Sequence, residues 1–381
     1  MPLSQDALPA ETRSTIPFKR RLIYACSIYL VFLFVLLAIE VGTRLTMSHV
    51  SSLDLFVVTK QQQAQVANEK QSGIFEGDPL LLWRLKPNLD HVVWDFTVLS
   101  TNSQHLRMDR ELGPKQPGAF RIVCLGDSVT FGYRVPVVWP NNPSEYDREW
   151  LPYPMLLERE LRAANPNRTI EVITMAVPGY TSHQGLAWLK NSIDDWQPDL
   201  LTVSFGWNDA SLSDAPDRQV INTGWYSVGT RWLIDHSQAF AHAAHWLRSS
   251  SRLPTDQRRP VARVSKDEYL NNILAIVRLT QQRKAGIIVI AAPYRDAVTN
   301  PPEAKAMINY RAALRSVMDE RHLPFLEIRE LTEEAYPSNA GWFGELIHPN
   351  HMGHRLIASE LLKAMSEAHL LKDLKVPGLT P

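Results

Sequence analysis

From about residue 119 onward, short apolar runs alternate with stretches whose apolar residues recur at helical spacing. No other feature restricts the fold of this chain as much. The runs are Arg121 to Leu125, Ile170 to Met175, Leu200 to Ser204, Ile287 to Ala292 and Phe325 to Ile328. Between and after them, Pro154 to Ala164, Ser182 to Ser192, Tyr269 to Gln282, Pro302 to Arg321 and Met352 to Ala368 predict helices. Strands that are apolar throughout are buried on both faces, so this alternation predicts an α/β fold with a parallel sheet covered by helices on each side. Ligands of such sheets bind beyond the carboxyl ends of the strands. An insertion at about 210–261 interrupts the pattern. Within it, Arg231 to Ser249 reads as one helix with Trp232, His236, Phe240, Ala243 and Leu247 on one face, expected to dock rather than to hold a ligand. The segment from Val138 to Trp150 is expected to form a rim.

The N-terminal part is organised differently. Leu22 to Ile39 carries no charge. At about 1.5 Å per residue it nearly crosses a hydrocarbon core of about 30 Å. Lys19, Arg20 and Arg21 abut its start, which by the positive-inside rule leaves residues 1–21 as a cytoplasmic tail and puts the remainder outside. The run is long and no small-x-small site follows it, so an uncleaved signal anchor is expected rather than a cleaved signal peptide. Residues 40–78 read as a stem that includes Gln61-Gln62-Gln63. Residues 79–118 read as a small β extension with strands at Leu81 to Leu85 and Val92 to Val98, and residues 373–381 as a C-terminal tail. The main domain spans residues 119–372.

Lys and Arg number 40 and Asp and Glu number 40, with no basic stripe, so nucleic acid is not an expected partner. Of two cysteines, Cys26 lies in the apolar span, which leaves Cys124 alone in a predicted strand without a disulfide partner.

Chemistry concentrates at two places. Gly126-Asp127-Ser128 follows the first apolar run. A serine where a buried strand turns into a helix has its hydroxyl exposed, and the helix N-terminus aims free N–H groups at any anion that forms there. Far downstream, Glu345 stands three residues ahead of His348 in Glu345-Leu346-Ile347-His348-Pro349-Asn350. A neutral histidine suits the task of taking a serine proton, and a carboxylate suits that of orienting the histidine. The two places together point to a serine esterase or acyltransferase.

These blocks, with two more between them, resemble the SGNH/GDSL hydrolase superfamily over roughly residues 119–370. Gly126-Asp127-Ser128 is similar to its first block, Ala176-Val177-Pro178-Gly179-Tyr180 to its second, Phe205-Gly206-Trp207-Asn208-Asp209 to its third, and Glu345 to Asn350 to its fifth. The resemblance implies a three-layer α/β/α, flavodoxin-like sheet. It implies Ser128, His348 and Glu345 as catalytic residues, with an oxyanion hole built from Ser128, Gly179 and Asn208. Glu345 stands where the family usually has aspartate, and a backbone carbonyl is the alternative partner for His348. No cofactor or metal is expected. His348 is assigned to the catalytic block and His351 and His354 to the segment after it, since no accompanying ligand set completes a metal site. Asp127 and Asp209 are expected to be structural, and Asn102 a turn residue. The expected activity is hydrolysis of O-acyl esters, acetyl above all, on carbohydrate outside the cytoplasm. Acyl transfer through the same acyl-enzyme, or a silent glycan-binding module, are the alternatives. The expected partners are an ester-bearing small molecule or polysaccharide and, through one helix, the membrane.

Overall fold

The computed structural model of the protein describes residues 17–51, 53, 73–139, 141–142, 144–221, 228–250, 260–294, 302–328, 340–345 and 347–377. Most of the expected stem, residues 1–16 of the expected tail and residues 378–381 lie outside them. Helix α1 (Phe18–Thr46) comes first. Two antiparallel hairpins follow, β1 (Phe75–Asp78) with β2 (Leu82–Leu85), and β3 (Val92–Trp94) with β4 (Thr97–Leu99). The α/β domain then runs β5 (Phe120–Gly126), α2 (Ser128–Phe131), α3 (Tyr153–Ala164), β6 (Ile170–Ala176), α4 (Ser182–Trp196), β7 (Leu200–Ser204) and α5 (Trp207–Ala210). The insertion holds β8 (Leu212–Ser213), α6 (Asp217–Ile221), α7 (Val228–His236), α8 (Gln238–Ser250) and β9 (Val261–Ala262). The domain resumes with α9 (Lys266–Gln282), β10 (Gly286–Ile290), α10 (Pro302–Glu320), β11 (Phe325–Leu326) and α11 (His351–Glu367).

Strands β6, β5, β7, β10 and β11 form one five-stranded sheet in that spatial order, every neighbouring pair parallel. The first strand of the domain lies second in the sheet, so consecutive connections depart to opposite sides of the gap between β5 and β7. That gap is where a doubly wound sheet opens its crevice. Successive residues of β5 face opposite layers, as strand geometry requires. Val123 and Leu125 pack into a core shared with α4, α9 and α10, while Ile122 and Cys124 pack into another shared with α3 and α11. Burial pushes the Cys124 thiol up to about 12, so the residue behaves as a small apolar filler.

Several assignments differ from those the sequence predicts. Val92 to Val98 is not one strand, because Asp95 and Phe96 take positive φ and fold the segment back into the hairpin β3–β4. The stem does not extend to residue 78: Phe75 is buried in the main core, and Phe75–Asp78 is already a strand paired with β2. The apolar helix is longer than Leu22 to Ile39, because the polar residues flanking it still form helix from Phe18 to Thr46. The segment from Arg231 to Ser249 is two helices, α7 and α8, broken at Ser237. The break follows from a contact remote in sequence, in which Glu40 accepts hydrogen bonds from the Gln238 and Ala239 N–H groups. The insertion leaves and returns through the antiparallel pair β8–β9, which closes its base.

Candidate active site

The turn after β5 is shaped by two residues beside Ser128. A Cβ on Gly126 would stand 2.0 Å from Thr130 Oγ1 and 3.0 Å from the Ser204 carbonyl, so only glycine lets the strand end this close to the helix that follows. Asp127 is the N-cap of α2, its carboxylate accepting from the Val129 N–H at 3.0 Å. Such a cap stabilises by about 1 kcal/mol. Ser128 therefore begins α2, where N–H groups have no partner inside the helix. Burial pushes the Asp127 carboxyl up to about 6.

His348 and Glu345 arrive from the loop before α11. His348 Nε2 lies 2.8 Å from Ser128 Oγ, and its Nδ1–H donates to Glu345 Oε1. The longer glutamate arm thus reaches the imidazole without help from a backbone carbonyl. With the Nδ1 proton committed to Glu345, Nε2 is the acceptor that faces the serine hydroxyl. The hydrogen bond from His348 holds the Glu345 carboxyl below its usual range, aided by the charge of Arg134.

Gly179 and Asn208 flank the crevice from β6 and β7. Gly179 has φ +82°, a conformation natural to glycine, and its carbonyl accepts from Arg263 Nη1 at 2.7 Å. Asn208 Nδ2 donates to the Tyr180 carbonyl at 3.0 Å and lies 3.4 Å from Asp127 Oδ2. An amide nitrogen carries two N–H groups, so the bond to Tyr180 fixes the side chain while the second N–H makes the longer bond to Asp127. The structure thus brings Ser128, His348 and Glu345 into one hydrogen-bonded chain, with Asn208 beside Asp127 and Gly179 on the loop that Asn208 holds.

Several residues that shape the site carry no sequence signal of their own. Arg134 bridges Asp95, in the β3–β4 turn, at 3.0 Å and Glu345 at 3.2 Å. Tyr133 donates to Asp95 and packs against the His348 ring with centroids 4.4 Å apart. Trp83 of β2 donates to the Pro178 carbonyl at 3.2 Å, and its own carbonyl accepts from Tyr180. Buried Arg107 donates to the carbonyls of Phe131, Gly132, Val98 and Val135, which ties the hairpins to the end of α2. Arg263 and Asp217 form a fully buried pair at 2.8 Å. Removing one member of such a pair costs about 3–5 kcal/mol. Of these residues only Tyr133 and Arg134 adjoin a recognisable block.

The remaining candidates fall into structural roles. Asp209 accepts from the Ser182 N–H and hydroxyl, which fixes the start of α4, and Thr181 bonds Asp217 there. Asn102 is buried and accepts from the Gln104 and Leu106 N–H groups, organising the loop after β4. The histidine run points three ways: His348 to Ser128, His351 stacked on Trp150 at 3.9 Å, and His354 accepting from the Tyr153 N–H at 3.2 Å.

A solved structure of LAE5, an alpha/beta hydrolase enzyme from the metagenome of Lake Arreo, Spain, is 20% identical over 65% of this chain and 96% of that one, with a TM-score of 0.43. Axe2, an acetylxylan esterase from Geobacillus stearothermophilus, is 19% identical over 65% of this chain and 95% of its own, with a TM-score of 0.41. The lipase/acylhydrolase from Enterococcus faecalis is 19% identical over 68% and 100%, with a TM-score of 0.42. No curated protein sequence matches the chain. The model of the GDSL-like lipase/acylhydrolase family matches residues 124–356, which include the turn after β5, the insertion and the histidine loop. The chain therefore belongs to the GDSL-like lipase/acylhydrolase family and is a carboxylic ester hydrolase.

Proposed function

We propose that the domain is a serine esterase that works through an acyl-enzyme on Ser128. The single observation that carries this reading is the hydrogen-bonded chain Glu345–His348–Ser128. In the forward step Ser128 Oγ attacks the ester carbonyl while His348 Nε2 takes its proton. The oxyanion is received by the N–H groups of Ser128 and Gly179 and by the Asn208 N–H, which gives up its long bond to Asp127 to do so. One such donor contributes roughly 3 kcal/mol to the transition state. His348 then protonates the departing alcohol, and a water molecule activated by the same nitrogen releases the acid. Glu345 keeps the imidazole in the tautomer that both steps require.

Helix α1 is long and apolar enough to cross a membrane, and none of its apolar window packs against the protein. Together with the basic residues that precede it, this supports an anchored enzyme with residues 1–21 inside the cell and the catalytic domain outside. An enzyme placed there meets envelope and exported polysaccharide, whose O-acetyl groups are the substrate class we assign. The test is turnover by the full chain in lipid nanodiscs, with p-nitrophenyl acetate and with O-acetylated polysaccharide, beside Ser128→Ala. Steady acetate release from both substrates that vanishes in the variant is the expected result. One equivalent of nitrophenol followed by a stall identifies a sugar acceptor in place of water. Folded protein that releases nothing from either substrate contradicts the reading.

A further inference from the structure

Helix α1 does not simply lead to the domain; its last turns are built into it. The carboxylate of Glu40 accepts from the Ser237 hydroxyl at 2.8 Å, the Gln238 N–H at 2.9 Å and the Ala239 N–H at 3.1 Å. One turn further on, Arg44 donates to the His236 carbonyl at 3.0 Å and pairs with Glu40 at 2.6 Å. An anion thus sits at the N-terminus of α8 and a cation at the C-terminus of α7, each matched to the helix dipole it meets. Beyond α1, Gln238 exchanges two hydrogen bonds with the backbone of Val50, at 2.9 and 3.1 Å. Val50, Ile234 and Ala241 bury one another there.

This junction fixes the height of the α7–α8 hairpin. With 29 residues, α1 is about 43 Å long, against a hydrocarbon core of about 30 Å. The charged turn at Glu40 and Arg44 therefore stands just beyond the apolar core, at the level of the lipid headgroups. On the hairpin held at that level, Trp232 is 59% exposed, Leu233 40%, Trp246 67% and Leu247 47%. Tryptophan is the side chain most at home at a membrane–water boundary, its ring apolar and its N–H in need of a polar partner.

We infer that the hairpin formed by α7 and α8 is a membrane foot, whose Trp232, Leu233, Trp246 and Leu247 enter the boundary between headgroups and acyl chains of the leaflet from which α1 emerges. The foot is bonded to the end of the anchor through Glu40 and Arg44, so the bilayer that covers the anchor is the occupant that covers the foot. This inference rests on α1 being a membrane span. It adds that the domain is held at a set distance and orientation on the bilayer rather than tethered freely. It also gives the hairpin a role that requires neither a ligand nor a second protein.

The test uses the full chain carrying Cys26→Ser, reconstituted in phosphatidylcholine vesicles, with Cys124 left in place because it is fully buried. An environment-sensitive fluorophore is attached to Ala243→Cys on α8, to Leu30→Cys in the apolar helix, or to Lys190→Cys on α4, three positions whose side chains are exposed. Lipids spin-labelled near the headgroup are the quencher for positions 243 and 190, and lipids spin-labelled deep in the acyl chain for position 30. The expected result is blue-shifted, quenched emission at positions 243 and 30 and neither effect at 190, with quenching at 243 reduced when Trp232→Ser and Trp246→Ser are added. Emission at 243 as unquenched as at 190, with position 30 still quenched, overturns the foot and leaves the anchor standing. Loss of quenching at position 30 as well overturns both.

Discussion

Glu345 reaches His348 with one methylene more than the aspartate usual in this block, and Arg134 restrains the longer arm. The Arg134–Glu345 pair is more than a third exposed on both sides, so its own contribution is at most about 1 kcal/mol. Its value is positional: it holds one carboxylate oxygen while His348 takes the other. Replacing Glu345 by Gln keeps the shape but disturbs the tautomer, and kcat for an ester substrate is expected to fall by about 10²- to 10⁴-fold. Arg134→Gln is expected to lower kcat by about tenfold or less, in keeping with an exposed pair. Steady-state kinetics of the two variants checks the order. Asn208→Ala removes an amide donor and is expected to cost about 10²- to 10³-fold in kcat, with KM little changed. The serine, histidine and glutamate were legible in the sequence because each sits in a short block with its own spacing. Arg134 was not, since its two partners lie 39 and 211 residues away and no local pattern records such a meeting.

Among the elements, the start of α4 carries a pH dependence of its own. Burial pushes the Asp209 carboxyl up to about 7, against an ordinary value of 3.8, and the Ser182 donors only partly offset this. The folded state therefore holds a proton that the unfolded chain releases. The resulting stabilisation is fully present below about pH 3.8 and is lost as pH rises to about 7. Asp127 acts in the same sense up to about 6. Calorimetry between pH 4 and 7 should show stability falling with a slope approaching about 1.4 kcal/mol per pH unit from Asp209, and Asp209→Asn should flatten that part of the curve. A slope unchanged in the variant contradicts the assignment. The strands and helices of the main domain were legible from periodicity, because each buries a face against the sheet. The break at Ser237 was not: periodicity runs through it, and the residue that caps the start of the second helix is Glu40, 197 residues before Ser237.

For the whole molecule, the order of the strands does most to explain where the site lies. The chain turns away from β5 in one direction and returns beyond it to β7, so the turn bearing Ser128 and the turn bearing Asn208 face each other across one crevice. The hairpins β1–β2 and β3–β4 brace the residues of that crevice, Trp83 on the Gly179 loop and Asp95 on Arg134. Alternation alone predicts a parallel sheet but not this bracing, which joins parts of the chain far apart in sequence. The measurement that bears most directly on the account is covalent labelling with a fluorophosphonate, which phosphonylates an activated serine with loss of fluoride, followed by mass spectrometry of the peptides. The account predicts one adduct on Ser128 in the full chain and almost none in folded His348→Ala. An adduct on another serine, or equal labelling of Ser128 without His348, would contradict it.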